Sequence, residues 1–106
     1  MGASKKELFT LSQNNIAKIA KALSHPARIA ILEYLLKTNA CVCGDLVNKL
    51  PLSQSTISQH LKELKNAGII SGNISGTSVC YCINPKVWSE ASKVLNNLFK
   101  ELKDCC

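Results

Sequence analysis

Two sets of residues in this sequence have types and spacings that can do chemistry. Six cysteines fall as three close pairs, Cys41-Val42-Cys43, Cys80-Tyr81-Cys82 and Cys105-Cys106. Paired thiols form disulfides in an oxidising compartment and serve metal binding or thiol chemistry in a reducing one. The opening stretch MGASKKELFT has no apolar export region, and no apolar run is long enough to cross a bilayer. A cytoplasmic, reducing setting is therefore expected, which turns the thiols toward metals, metalloids or redox signals. The second set is a run of short hydrogen-bonding residues after Leu50-Pro51-Leu52-Ser53: Gln54, Ser55, Thr56, Ser58, Gln59, His60 and Lys62. On the outer side of a helix, such residues suit the reading of base edges in a DNA major groove.

The elements that must position these groups follow from periodicity. Over residues 4–23, Ile16, Ile19, Ala20 and Leu23 recur at the spacing of one helical face. Ser24-His25-Pro26 interrupts the pattern, and a second helix over 26–37 carries Ile29, Leu32 and Leu36 on one side with Ile31 and Leu35 beside them. Apolar residues so nearly all round predict a central, packed helix. A short helix over 44–50 turns Leu46, Val47 and Leu50 inward, and Ser53 is placed to cap the next one, whose Ile57, Leu61 and Leu64 face the core. Gly68 supplies a left-handed stop.

Residues 69–71 and 78–83 then read as the strands of a hairpin with its tip at 72–77. In the second strand Val79, Tyr81 and Ile83 share one face while Cys80 and Cys82 share the other. Asn84 and Pro85 open a last helix reaching to about residue 103. Its Trp88, Ala91, Leu95, Leu98 and Leu102 form a coiled-coil-like seam, widened by Val87, Val94 and Phe99, suited to the first helix, a symmetry mate or both. At 106 residues the chain is one small domain with a modest core, to which a dimer would add buried surface. Thirteen Lys and Arg against seven Asp and Glu favour a polyanionic partner. No nucleophile or acid–base constellation points to an enzyme.

The expected architecture is thus mainly α with a small β-hairpin wing, a winged helix-turn-helix. The segments ALSHPARIAIL (residues 22–32), GDL (44–46) and LSQSTISQHLKEL (52–64) resemble the ArsR/SmtB family of metalloid- and metal-responsive bacterial repressors. The resemblance runs over almost the whole chain. It implies a homodimer joined through the first and last helices, with Trp88, Ala91, Leu95, Leu98 and Leu102 at the interface. It also implies a palindromic double-stranded DNA operator that is released when an inducer binds. Ser53, Gln54, Ser55, Thr56, Ser58, Gln59 and His60 are the expected base-edge and phosphate contacts. Lys62 and Lys65 would neutralise the backbone, and Asn73, Ser75 and Thr77 at the wing tip would reach the adjacent minor groove. The competing reading, a protein-interaction module, meets a helix that exposes no aromatic or apolar anchor.

A zinc, nickel or cobalt site on the last helix would need imidazoles, and the only histidines are His25 and His60. Thiolates instead favour As(III), Sb(III), Cd(II), Pb(II) or Cu(I). In the arsenic and cadmium branches of the family Cys-Val-Cys-Asp-Leu opens the first helix of the helix-turn-helix. Here Cys41-Val42-Cys43-Gly44-Asp45-Leu46 has a glycine inserted. Cys105-Cys106 resembles an adjacent pair near the end of the last helix in another arsenic-sensing branch. Cys41, Cys43, Cys105 and Cys106 are thus the expected ligands of As(III) or Sb(III), with no resident cofactor required. Three alternatives stay open: Cys41 and Cys43 as a short inward strand, Cys105-Cys106 as a frayed tail, and Cys80 and Cys82 as simple packing. A thiol redox or persulfide switch is a further reading. Some family members link a cysteine on the second helix to one on the last, and Cys41 and Cys43 lie just beyond the second helix here.

Overall fold

Thr10 sets the start of the first long helix, α1 (Leu11–Ala22). Its Oγ1 accepts from the Gln13 backbone N–H at 3.0 Å, while Gln13 Oε1 accepts from the Thr10 N–H at 2.9 Å. This reciprocal cap satisfies two amide donors and fixes the helix start. The expected helix from residue 4 is accordingly replaced by a 3-10 turn, Lys5–Leu8, ahead of α1. The structure is a computed structural model and describes residues 5–38, 41–43, 49–75 and 78–103.

α2 (Pro26–Thr38) begins where His25 Nδ1 accepts from the Ala27 N–H at 2.9 Å. Its buried stripe is Ala27, Ile31, Leu32 and Leu35. Ile29 and Leu36, expected inward, are exposed, because at 3.6 residues per turn they lie roughly opposite Ile31. On α1, Ile16, Ile19 and Leu23 are half-buried as expected, but Ala20 faces out and Ala22 takes its place in the core.

β1 (Val42–Cys43) comes next, a short strand and one of the open readings of Cys41 and Cys43. The short helix expected over 44–50 falls largely outside the described residues. α3 (Gln54–Asn66) starts at Ser53, whose hydroxyl accepts from the Thr56 N–H. It ends in a Schellman motif: Gly68 N–H donates to Lys65 O at 2.9 Å and Ile69 N–H to Leu64 O at 3.1 Å. Gly68 holds φ +80°, which a side chain at Cβ disfavours.

β2 (Ile70–Ser75) and β3 (Ser78–Ile83) pair antiparallel, with Ile70 opposite Ile83 and Gly72 opposite Tyr81. β2 runs further than expected, so residues 72–75 belong to the strand. The order in the sheet is β1-β3-β2, and β1 is the strand added to the expected hairpin. A Cβ at Gly72 would sit 3.2 Å from Tyr81 Cε1, so a side chain there would make the Tyr81 ring give by a few tenths of an ångström, while 3.5 Å to Lys65 Nζ on α3 is ordinary contact.

α4 (Pro85–Phe99) is capped by Asn84, whose Oδ1 accepts from the Lys86 and Val87 N–H groups at 3.1 and 3.2 Å. It ends at Phe99, short of the expected residue 103. The core joins α2, β1, α3 and the sheet through Ile31, Leu35, Val42, Ile57, Leu64, Ile69 and Ile70, with Trp88 packed against it. The radius of gyration, 16.3 Å, exceeds the ~13 Å of a compact chain this long, so the fold is extended.

Candidate nucleic-acid interface and the sulfur ladder beside it

α3 divides cleanly into two faces. Ile57, Leu61 and Leu64 are buried as expected, at 1%, 5% and 0% exposure. Gln54, Ser55, Ser58, Gln59, Lys62 and Lys65 are exposed and Thr56 is half-buried. The hydroxyl of Ser53 is engaged at the helix start, 3.2 Å from Ser55 Oγ and 2.9 Å from Thr56 Oγ1. Asn73 is exposed on β2, while Thr77 lies outside the described residues.

His60 is a correction. Expected among the base-edge contacts, it is only 8% exposed. The reason was available in its spacing: it stands three residues after Ile57 and four before Leu64, on the inward stripe. Arg28 Nε donates to His60 Nδ1 at 3.1 Å, and the His25 ring lies 4.4 Å from the His60 ring between centroids. Burial, then the neighbouring positive character of His25 and Arg28, pushes the His60 imidazole below its usual value, with Glu63 opposing. A neutral ring is what an acceptor at Nδ1 requires. Arg28 Nη1 also donates to the carbonyls of Lys21 and Ala22, at 3.1 and 3.4 Å. One guanidinium therefore ties the end of α1 and the start of α2 to the underside of the reading helix. Periodicity gave no sign of this clamp.

The sulfur atoms are brought together differently from the expected pairs. β1 and β3 place Val42 opposite Tyr81 and Cys43 opposite Cys80. One step further along, Cys41 and Cys82 are joined by a disulfide across a Cα–Cα distance of 4.4 Å. Cys80 is disulfide-bonded as well and is 8% exposed. Simple packing thus does not describe Cys80 and Cys82. Among the described residues no group of three or more His, Cys, Asp or Glu is free to hold a metal ion. Cys105 and Cys106 lie outside the described residues. Cys41, Cys82, Leu35, Leu36 and Trp88 line a cleft of about 400 Å³ between the sulfur ladder and helices α2 and α4.

The model of the bacterial regulatory proteins of the arsR family matches residues 25–71, from His25 of the clamp to Ser71 on β2. The chain belongs to the ArsR family. It is 44% identical over 64 residues to the HTH-type transcriptional repressor SmtB of Mycobacterium tuberculosis, covering 60% of this chain and 47% of that one. The chain thus spans about half the length of that relative. It is 38% identical over 81 residues to the cadmium resistance transcriptional regulatory protein CadC homolog of Staphylococcus aureus, over 76% of this chain and 66% of that one. An ArsR-like transcriptional regulator from Rhodococcus sp. RHA1 superposes with a TM-score of 0.71, over 87% of this chain and 86% of its own. At 22% identity that likeness establishes the winged helix-turn-helix fold. Membership of a family of regulators agrees with the expectation that the chain is not an enzyme.

In this ArsR-family chain α1 packs on α4, and Ile19, Val87 and Ala91 line a small pocket between the two helices. Of the expected seam, Ala91 is buried, Trp88 and Leu95 are half-buried, and Leu98 and Leu102 are exposed. Leu11 at the head of α1 is 87% exposed and Leu102 beyond α4 is 86% exposed, so both terminal elements keep apolar surface uncovered within one chain. No helix among the described residues is long and apolar enough to cross a membrane.

Proposed function

We propose that the protein is a transcriptional repressor that binds a palindromic DNA operator as a homodimer and leaves it when a thiophilic inducer engages its cysteine thiolates. As(III) and Sb(III) are the first candidates. The observation that carries the DNA reading is the division of α3. A buried inner face anchors the helix to the core, and its outer face offers Gln54, Ser55, Ser58, Gln59 and Lys62 to solvent. Amide and hydroxyl groups match base edges, and Lys62 and Lys65 match phosphates. The uncovered apolar surface of α1 and α4 suits a second copy of the chain, which would set two reading helices ~34 Å apart on successive major grooves.

The thiophilic inducer is supported by Cys41 and Cys43 at the upstream edge of the reader, and by the soft-metal relative among the family members. A second reading has a specific observation behind it: the Cys41–Cys82 disulfide favours a thiol redox switch at the same place.

The test is selection of DNA from a random pool, followed by affinity measurements across salt concentrations. Sequence-selective binding that weakens steeply with salt is expected, since each neutralised phosphate releases a counterion. Binding without any salt dependence would mean that the winged helix serves a protein partner. Adding As(III), Sb(III) or a disulfide-forming oxidant to the complex then separates the readings. Release by metalloid at constant thiol redox state supports the first, and release by the oxidant alone supports the second.

A further inference from the structure

We infer that Cys41, Cys43, Cys80 and Cys82 constitute one four-sulfur site, in which the wing cysteines Cys80 and Cys82 are ligands. When reduced, this site takes a single thiophilic cation. The inference rests on the thiol-based signal proposed above and names its site.

The argument is one of register. In an antiparallel ladder, directly opposed residues alternate between wide, hydrogen-bonded pairs and close, non-hydrogen-bonded pairs about 4.5 Å apart. Cys41 and Cys82 stand 4.4 Å apart, the close kind. Val42 and Tyr81 come next, so Cys43 and Cys80 fall in the close kind again. Successive close pairs are two residues apart, about 6.7 Å along the strand, and lie on the same face of the sheet. Four cysteine positions therefore occupy the corners of a rectangle of roughly 4.5 by 6.7 Å. Thiolates converging from such corners can meet an ion at the ~2.3 Å typical of a zinc–sulfur bond in tetrahedral S₄ geometry. Softer ions of the same coordination, Cd(II) among them, are favoured by four thiolates.

The site is accessible and coupled to the rest of the fold. Cys41 is exposed, Cys82 is half-buried, and both open onto the cleft that Leu36 and Trp88 share. An occupant tying β1 to β3 would act on the upstream edge of the DNA reader, on its wing and on α4 together.

Two states of the sulfurs exclude one another. A water-soluble phosphine opens the disulfide: phosphorus attacks one Sγ, the other leaves as a thiolate, and water releases the first thiol with formation of the phosphine oxide. Two electrons pass from phosphorus to sulfur for each bond opened, so one phosphine is consumed per disulfide, and the bond that holds Cys80 must be opened as well as Cys41–Cys82. Four thiols can then give up four protons and bind one divalent cation as four thiolates.

The full chain, reduced by phosphine under anaerobic conditions, is titrated with Cd(II) and separately with As(III). The expected result is one Cd(II) per chain, thiolate-to-metal charge-transfer absorption, and a change in the fluorescence of Trp88, the only tryptophan. Alkylation followed by mass spectrometry should find Cys41, Cys43, Cys80 and Cys82 protected and Cys105 and Cys106 labelled. As(III) protecting three of the same four supports the site with a three-coordinate ion. The Cys80→Ser/Cys82→Ser protein should lose affinity as severely as Cys41→Ser/Cys43→Ser, about 100-fold or more, beyond the cost of losing an outer-shell partner.

Protection of Cys41 and Cys43 with Cys80 and Cys82 still labelled overturns the inference, as does protection centred on Cys105 and Cys106. The alkylation pattern is read on the unmutated chain, so a variant that misfolds leaves the test intact. DNA binding by the reduced protein is measured in parallel. Its failure with the protection pattern intact would reject the repressor reading and leave the sulfur site standing.

Discussion

The reading helix α3 and the edge strand β1 are held in place by opposite means. α3 has a side-chain cap at one end and a Schellman turn at the other, and its inner face is wholly buried with its one imidazole hydrogen-bonded by Arg28. β1 is two residues long, buries Val42, and leaves Cys41 exposed and bonded through sulfur to β3. Burial and internal hydrogen bonds change little with the chemistry of the surroundings. A sulfur linkage changes with it directly. A thiol-directed signal therefore has an entry at β1 and none at α3, although only ten residues separate them. The reader is built to be constant and its edge to be altered.

The largest effect should come from breaking the constant half. Leu64 is completely buried beneath α3. Leu64→Ala should cost about 2–5 kcal/mol in urea or thermal unfolding, from lost burial and the cavity left behind. A loss below about 1 kcal/mol would show that α3 is not anchored as its burial implies. Reducing the Cys41–Cys82 bond comes next. It closes a loop with a sequence separation of 41, which encloses the whole reading unit. Opening it should cost roughly 2–4 kcal/mol. Hydrogen exchange should then quicken more in the β1–β3 ladder than among the α3 amides. Equal loosening of both would abolish the contrast between them.

Arg28→Ala probes the clamp between α1, α2 and α3. It leaves the buried Nδ1 of His60 without its donor, at a cost of about 1–3 kcal/mol. Acidification strains the same contact. The folded-state pKa of His60 lies below its ordinary value, so the unfolded chain takes up the proton first. The contribution of this histidine is fully present above pH ~6.5 and is lost as pH falls from there toward the folded pKa. Unfolding measured from pH 8 downward should show stability declining below about 6.5, and His60→Gln should flatten that decline. A stability that rises on acidification in this window would contradict the buried, neutral ring.

How legible these features were depended on how far each signal extends along the chain. α2, α3, β3 and α4 could be read from caps and apolar spacing, because Ser53, Gly68, Asn84 and the Ile57–Leu61–Leu64 stripe act locally. His60 was misplaced because a histidine next to polar residues looks exposed, although its spacing from Ile57 and Leu64 put it inside. The outward turn of Ile29 and Leu36 was hidden because α2 is apolar nearly all round, so no stripe stood out. The sulfur ladder was the least legible. Cys-Val-Cys and Cys-Tyr-Cys each announce an alternating strand, but nothing local says that the two strands pair, or in which register. That pairing is a contact between residues far apart in sequence, and only the fold supplies it.

The smallest expected effect lies at the front of α3. The Ser53 hydroxyl accepts from the Thr56 N–H at 3.4 Å, which is long for a capping bond. Ser53→Ala should therefore cost about 0.5–1 kcal/mol, the lower part of the range for losing an N-cap. Ser53→Asp restores a capping acceptor and adds a negative charge at the positive end of the helix, so stability should return to its original value or slightly exceed it. The same charge would repel DNA phosphates at this helix start. Affinity for the selected operator should then fall in Ser53→Asp while stability does not, and the two measurements should part company. If stability and affinity instead move together in both variants, the front of α3 is set by its DNA contact and not by its own cap.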